Sequence, residues 1–342
     1  VPIQIRIVYT CEIDKMSRTL RQAVLQRQWV LGISAQTLFS VGTRMAKIAF
    51  LLMAHKEPVA LAAKVRALTA HGDAVAVHFD KRAKHADWQR LRAELAGIEN
   101  VTFARRARCG WGEYSLVQAS LNLIRAARSA FRDVTHYFLI SGDCYPTKSR
   151  GYLDQYLEQD RDVIETADFY GGWIKTGMRE DRLRFRHWFN EREQKWLFYK
   201  SLELQRRMRW TREVPDGLDM RIGSQWWVLR ATTIEKIVKF VRRRRDVVRF
   251  FRTTWVPDET FFQSLTAHLV PGDQISGYPP THLRFSDYGM PVVFHQDHVD
   301  YLRVADAPFA RKISSHAKGL HERLLAAFRV WDSSLPEGCL LY

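Results

Sequence analysis

Two adjacent carboxylates, Asp258 and Glu259, follow a proline in the segment Trp255-Val256-Pro257-Asp258-Glu259. A carboxylate at the start of a helix can cap it or interact with its dipole. It can equally take the proton of a hydroxyl that attacks an electrophile, as a general base. The pair allows a division of labour, with Asp258 as cap and Glu259 as the reactive group. Transfer to a hydroxyl also needs positive charge, or a metal, to stabilise an anionic leaving group. The chain holds 53 lysines and arginines, so cationic side chains can supply that charge. The only Asp-x-Asp triplet, Asp160-Arg161-Asp162, precedes Val163-Ile164 instead of closing a strand, so it reads as solvated turn charge. No metal site is expected. Gly110-Trp111-Gly112 and Gly171-Gly172 fit neither a Walker nor a Rossmann phosphate loop.

The elements that position these residues follow from apolar periodicity. Strands are expected over 47–53, 74–79, 101–104 and 136–140, the last running into Ser141-Gly142-Asp143-Cys144. Helices alternate with them over 59–69, 88–95 and from about 112 to 128. This alternation implies an α/β fold with a mostly parallel sheet flanked by helices. Ligands of such sheets gather at the carboxyl ends of the strands. His55, Asp80, Arg105 and Asp143 fall there. Residues 173–212 are dense in Trp, Phe, Arg and Lys and read as a helical insertion. Beyond them come a strand over 223–229, helices over 233–244 and 261–269, a strand-like stretch over 291–294 and a helix over 314–330. Nothing divides this span, so a single large domain is expected over 45–330, with 331–342 as a C-terminal tail. Residues 1–44 show neither period, and Met45 stands just before the first expected strand. They are expected to be an extension outside the fold.

Of the 342 residues, 46% are hydrophobic, enough for a sizeable core. Cys11, Cys109, Cys144 and Cys339 are scattered, which favours neither a disulfide framework nor a zinc site and suits a reducing cytoplasm. The net charge of +16 attracts polyanions of many kinds. Its densest runs, Arg242–Arg245 and Arg206-Arg207-Met208-Arg209, lie on helical patterns. They read first as solvated faces and second as a peripheral contact with the inner face of a membrane. A basic nucleic-acid-binding protein is the competitor from another class. No nucleic-acid motif accompanies the charge, so nucleic acid is not an expected partner. Trp29–Gly42, the most apolar early stretch, falls short of the roughly 20 residues a bilayer requires.

Several blocks, taken in order, carry a family resemblance. They are Leu52-Met53-Ala54-His55-Lys56, Val77-His78-Phe79-Asp80-Lys81, Trp111 to Ala119, Ser141 to Lys148, Gly223-Ser224-Gln225-Trp226-Trp227-Val228-Leu229, Pro257-Asp258-Glu259 and Phe309-Ala310-Arg311-Lys312. Over roughly residues 46–315 the chain resembles the core-2/I-branching β-1,6-N-acetylglucosaminyltransferases and peptide O-xylosyltransferases of glycosyltransferase family 14, in a bacterial type. The resemblance implies a GT-A-like fold and inverting, metal-independent transfer of a sugar from a UDP-sugar to a glycan or other acceptor hydroxyl. GlcNAc is the favoured sugar, and a peptide O-xylosyltransferase-like use of UDP-xylose is the alternative. It implies Glu259 as base and Lys312 as electrophile for the leaving diphosphate. His55, Asp80, Arg105 and Asp143 become nucleotide-binding candidates. Trp111, Gln225, Trp226, Trp227 and Asp258 become candidates for the donor and acceptor cleft. Trp226 and Trp227 would point to opposite sides of a strand, one to the core and one to the cleft. Two positions depart from the family pattern. Cys144 stands where the family has an acid, with Asp143 one place earlier. The family's upstream diphosphate arginine falls near Gly289, leaving Arg284, Arg303 and Arg311 as candidates.

Overall fold

Ile48–Ala54 (β1) is apolar and buried at all seven positions. Such a strand needs cover on both faces, which is the pattern of a parallel strand inside an α/β sheet. Its neighbours are Ala74–Phe79 (β2) and His136–Ser141 (β4), both parallel to it, with Leu51 level with Ala76 on one side and Leu139 on the other. Val101–Phe103 (β3) extends the sheet beyond β2, and Val228–Arg230 (β8) closes the other edge antiparallel to β4. The order is β3-β2-β1-β4-β8. The expected α/β class, with a parallel-rich sheet flanked by helices, is met. The computed structural model describes residues 46–158, 160–174, 180–287 and 289–330. The expected extension 1–44 and tail 331–342 lie outside the described residues.

Tyr114–Ala130 (α3) packs on β1 and β2. On the other side, Pro58–Leu68 (α1) pairs with both His85–Glu94 (α2) and Lys318–Arg329 (α11). Phe50 meets Phe138 at 5.7 Å, Phe309 at 5.9 Å and Phe328 at 6.3 Å, so one aromatic cluster joins three strands to α11. Two buried ion pairs lock the far ends of the sheet. Arg150, on Arg150–Leu157 (α4), pairs with Asp73, which also accepts the Ile48 N–H at 2.9 Å. Asp162 is fully buried and accepts from the Arg230 backbone at 2.8 Å, the Arg230 guanidinium at 3.1 Å and the Thr233 hydroxyl at 2.7 Å. The Asp-x-Asp triplet therefore departs from the expected solvated turn: Asp162 ties β8 to the helix Ala231–Arg243 (α7).

A second, small sheet matters more for the site. Tyr145–Pro146 (β5) pairs antiparallel with Phe309–Arg311 (β10), which pairs parallel with Thr281–Leu283 (β9). The Ile313 N–H also donates to the Asp143 carbonyl at 3.1 Å. The C-terminal cations are thereby brought to the end of β4. Ala167–Asp168 (β6) and Arg221–Ile222 (β7) form a third sheet.

The expected strand over 223–229 is shorter than its apolar pattern suggests. The backbone of Gly223 donates to the Glu259 carbonyl at 2.9 Å and that of Ser224 to the Glu165 carboxylate at 2.7 Å. These partners replace a ladder until β8 begins. The 291–294 stretch likewise makes only isolated bridges, Phe285 with Pro291 and Phe294 with Ile313.

The insertion holds a short turn of helix, Asp181–Arg184 (α5), and a longer helix, Lys195–Arg207 (α6). Arg212 fastens it by donating to the carbonyls of Leu183 (2.8 Å), Arg182 (3.0 Å) and Phe250 (2.6 Å). Phe250 lies in Arg245–Phe251 (α8), and the Arg212 guanidinium stacks 4.1 Å from its ring centroid. Phe261–Leu269 (α9) and Val299–Arg303 (α10) complete the helices used below. No helix among the described residues is long and apolar enough to cross a membrane.

Candidate active site

The crossover from β1 to β2 and that from β3 to β4 run in opposite directions along the sheet. A crevice therefore opens between the carboxyl ends of β1 and β4, where such folds bind ligands. A cleft of about 370 Å³ occupies it. His55, Lys56 and Ser141 to Asp143, at the ends of the adjacent strands β1 and β4, form its floor, and Asp80 and Trp111 line it on the β2 side. Gln225, Trp226, Arg311 and Lys312 complete the wall. Residues from six distant segments meet here. Of the sequence candidates, His55, Asp80, Asp143, Trp111, Gln225, Trp226, Arg311 and Lys312 are brought together.

The cleft concentrates cations. Lys56 pairs with Asp143 at 3.3 Å. Arg311 stacks on Trp226, guanidinium to ring centroid 4.6 Å. Burial lowers the Lys312 pKa, and the charges of Arg311, Lys56 and Arg192 add to that, with Asp143 opposing. An ammonium held among cations that repel it gains most when a dianion arrives to neutralise them.

The floor is held by Lys64. Its ammonium is fully buried, donates to the Gly142 carbonyl at 2.5 Å and sits 3.7 Å from the Tyr145 ring centroid. Burial drives its pKa down to about 7. Asp80 is partly committed to structure, because its Oδ1 accepts the Arg82 N–H at 2.8 Å and the Cys109 N–H at 3.3 Å. That turn shapes the rim beneath Trp111.

Glu259 stands at the end of a single turn of 3-10 helix, Pro257–Glu259. Val256, before it, has φ 51° and donates its N–H to the Gly112 carbonyl at 2.9 Å, which pins the turn to the Trp111 loop. Trp111 and Trp255 meet edge to face at 5.9 Å. The Arg182 Nη1 donates to Glu259 Oε2 at 3.0 Å, and its guanidinium lies 4.9 Å from the Trp255 ring centroid. Burial raises the Glu259 pKa, while the charge and hydrogen bond of Arg182 pull it back. Asp258 is buried, and burial followed by the Glu259 charge raises its pKa to about 7. Arg182 and Arg311 both oppose that rise, so the carboxylate pair lies within electrostatic reach of the insertion and of the cleft.

The family model for core-2/I-branching enzymes matches residues 48–286, most of the chain. The chain belongs to the core-2/I-branching enzyme family. It is therefore a glycosyltransferase-family protein. No curated protein matches it in sequence. Among solved structures it is similar to the galactosyltransferase LgtC in complex with donor and acceptor sugar analogs. That match has 12% identity and a TM-score of 0.37, and covers 85% of this chain and 98% of the other. It is also similar to an active-site variant of LgtC, at 12% identity and a TM-score of 0.32, with 82% and 83% covered.

Within this core-2/I-branching protein the remaining candidates lie elsewhere. Arg105 is exposed and outside the cleft wall; its carbonyl accepts from Asn122 at 2.9 Å. Arg284 is exposed and packs over Tyr301, 5.8 Å from its centroid. Arg303 pairs with Asp300 at 3.3 Å on α10. Of the three arginines considered for the diphosphate, Arg311 is the one that lines the cleft. Trp227 is fully buried against Phe262 at 4.9 Å, so Trp227 takes the core and Trp226 the cleft. Glu259 and Asp258 stand beside the lined wall. Three residues were not singled out from sequence: Lys56, Arg182 and Arg192. Lys56 sat inside a quoted block, and its position after a strand end was the available signal. Arg182 and Arg192, the latter 4.0 Å from the Trp111 ring centroid, belong to the insertion and carry no local signature.

Proposed function

We propose that the chain is an inverting, metal-independent glycosyltransferase that moves a sugar, GlcNAc favoured, from a UDP donor to an acceptor hydroxyl. The observation that carries this reading is the Arg182–Glu259 pair beside a cleft lined by Arg311 and Lys312. Glu259 takes the proton of the acceptor hydroxyl as that oxygen bonds to the anomeric carbon. The bond from the anomeric carbon to the diphosphate oxygen breaks on the opposite face. Lys312, Arg311 and Lys56 receive the charge that develops on the departing UDP. Trp226, held flat by Arg311, and Trp111 offer aromatic surfaces for the sugars. Burial, and then the charge of Glu259, raises the Asp258 pKa, so the two adjacent carboxyls resist being ionised together.

The test is Glu259→Gln assayed with UDP-sugars in the presence of EDTA. Transfer is expected to vanish while UDP affinity stays at the wild-type value. Retained turnover would remove Glu259 from the mechanism. A thermal-shift comparison of UDP-GlcNAc with UDP-xylose chooses the donor, the larger stabilisation being expected for UDP-GlcNAc.

A further inference from the structure

We propose that the outward face of α6, with the turn through Trp210, is a docking surface for an anionic lipid bilayer. The helix has a clear inside. Phe198, Leu202 and Gln205 are buried, and the first two join Phe185 in a small cluster against which Trp255 packs. On the outside, Leu197, Leu204 and Met208 recur at spacings of seven and four and form one stripe. Trp196 is 69% exposed and Trp210 50%. Single exposed apolar residues are ordinary, but six large ones on one helix and its turn, Tyr199 included, call for a partner.

The charges around the patch name that partner. Between residues 195 and 210 the basic residues are Lys195, Lys200, Arg206, Arg207 and Arg209, against the single acid Glu203. Glu203 is paired with Lys200 at 2.8 Å, and Arg206 with Asp181. Lys195, Arg207 and Arg209 are exposed on the same helix and its turn. An in-plane helix with Trp, Leu and Met on one side and cations along its border suits the boundary between acyl chains and anionic headgroups. A second copy of the chain is the poorer occupant, because it would bring two equally basic faces together in a molecule of net charge +16.

The experiment is flotation of the full chain with vesicles of phosphatidylcholine alone and of phosphatidylcholine mixed with phosphatidylglycerol. Binding is expected to the mixed vesicles and to weaken with salt. The combined substitution of Trp196, Leu204 and Met208 by Ser is expected to lower it at least about tenfold with an unchanged melting curve. Neutralising Lys195, Arg207 and Arg209 to Gln is expected to lower it about fivefold per charge. Vesicle binding needs no transfer activity, so its failure is distinguishable from failure of the glycosyltransferase reading. Equal flotation of wild type and both variants, or none by wild type, overturns the proposal. So does a concentration-dependent dimer that the Ser variant abolishes.

Discussion

The Arg182 Nη1 donates to Glu259 Oε2 at 3.0 Å, across 77 residues of sequence. Arg182 is itself buried, and its position depends on Arg212, which donates to its carbonyl and to that of Leu183. A carboxylate placed in this way is oriented by the insertion as much as by its own turn.

Replacing Arg182 by Met removes the charge and hydrogen bond that oppose the burial of Glu259. The Glu259 pKa is then expected to rise further, so the acid limb of kcat/KM moves to higher pH. A roughly tenfold to hundredfold loss at neutral pH should accompany it, partly recovered in Arg182→Lys. A pH–rate series checks the direction; an unmoved limb would show that Arg182 only packs.

Asp258 bears on stability. Its pKa in the folded chain is about 7, above the roughly 3.9 of an unfolded aspartate. The unfolded state therefore loses its proton first, and this residue's contribution to stability falls as pH rises from about 4 to about 7. Asp258→Asn should lack that decline. Urea unfolding across this window is expected to show the variant gaining on wild type with rising pH.

Lys64 gives the opposite sign. Its folded pKa is about 7, against about 10.4 unfolded, so between those values the unfolded state binds the extra proton. Stability from this residue rises with pH over that window. Lys64→Met should flatten the slope, and wild type should gain on it from about pH 7 to 10. Loss of the bond to Gly142 is expected to weaken UDP binding as well, measurable by calorimetry.

Lys312→Gln is expected to lower kcat by about 10²- to 10³-fold, the scale of losing one group that meets developing charge. Substrate KM should change far less. A loss confined to KM would make Lys312 a ground-state contact.

Asp162→Ala separates a structural acid from a metal ligand. Removing it leaves the Arg230 guanidinium without its buried carboxylate, at a cost of about 3–5 kcal/mol in denaturant unfolding. Turnover per folded molecule should stay at the wild-type value and resist EDTA. Recovery of activity by added Mn²⁺ in either protein would refute the metal-free account.

Much of the framework was legible because it is local. The fully apolar run 48–54 and its successors announced buried parallel strands, and strand ends located His55, Asp80 and Asp143. Asp162 was misread as turn charge because its partners, Arg230 and Thr233, are about 70 residues away. Arg105 was misplaced because a strand end offers several adjacent residues, and side-chain direction decides which one enters a cleft.

The prolyl-Asp-Glu turn and the Arg311-Lys312 pair are local chemistry, and the sequence by itself determined that both kinds of group exist. Tertiary structure alone decided that they come within electrostatic reach of each other. Pairing of β5 with β10 carries Lys312 to the end of β4, and the Arg212 clamp sets Arg182 on Glu259. Hydrogen bonds between segments so distant in the chain leave no periodic trace in it, so only the folded backbone could choose Arg311 over Arg284 and Arg303.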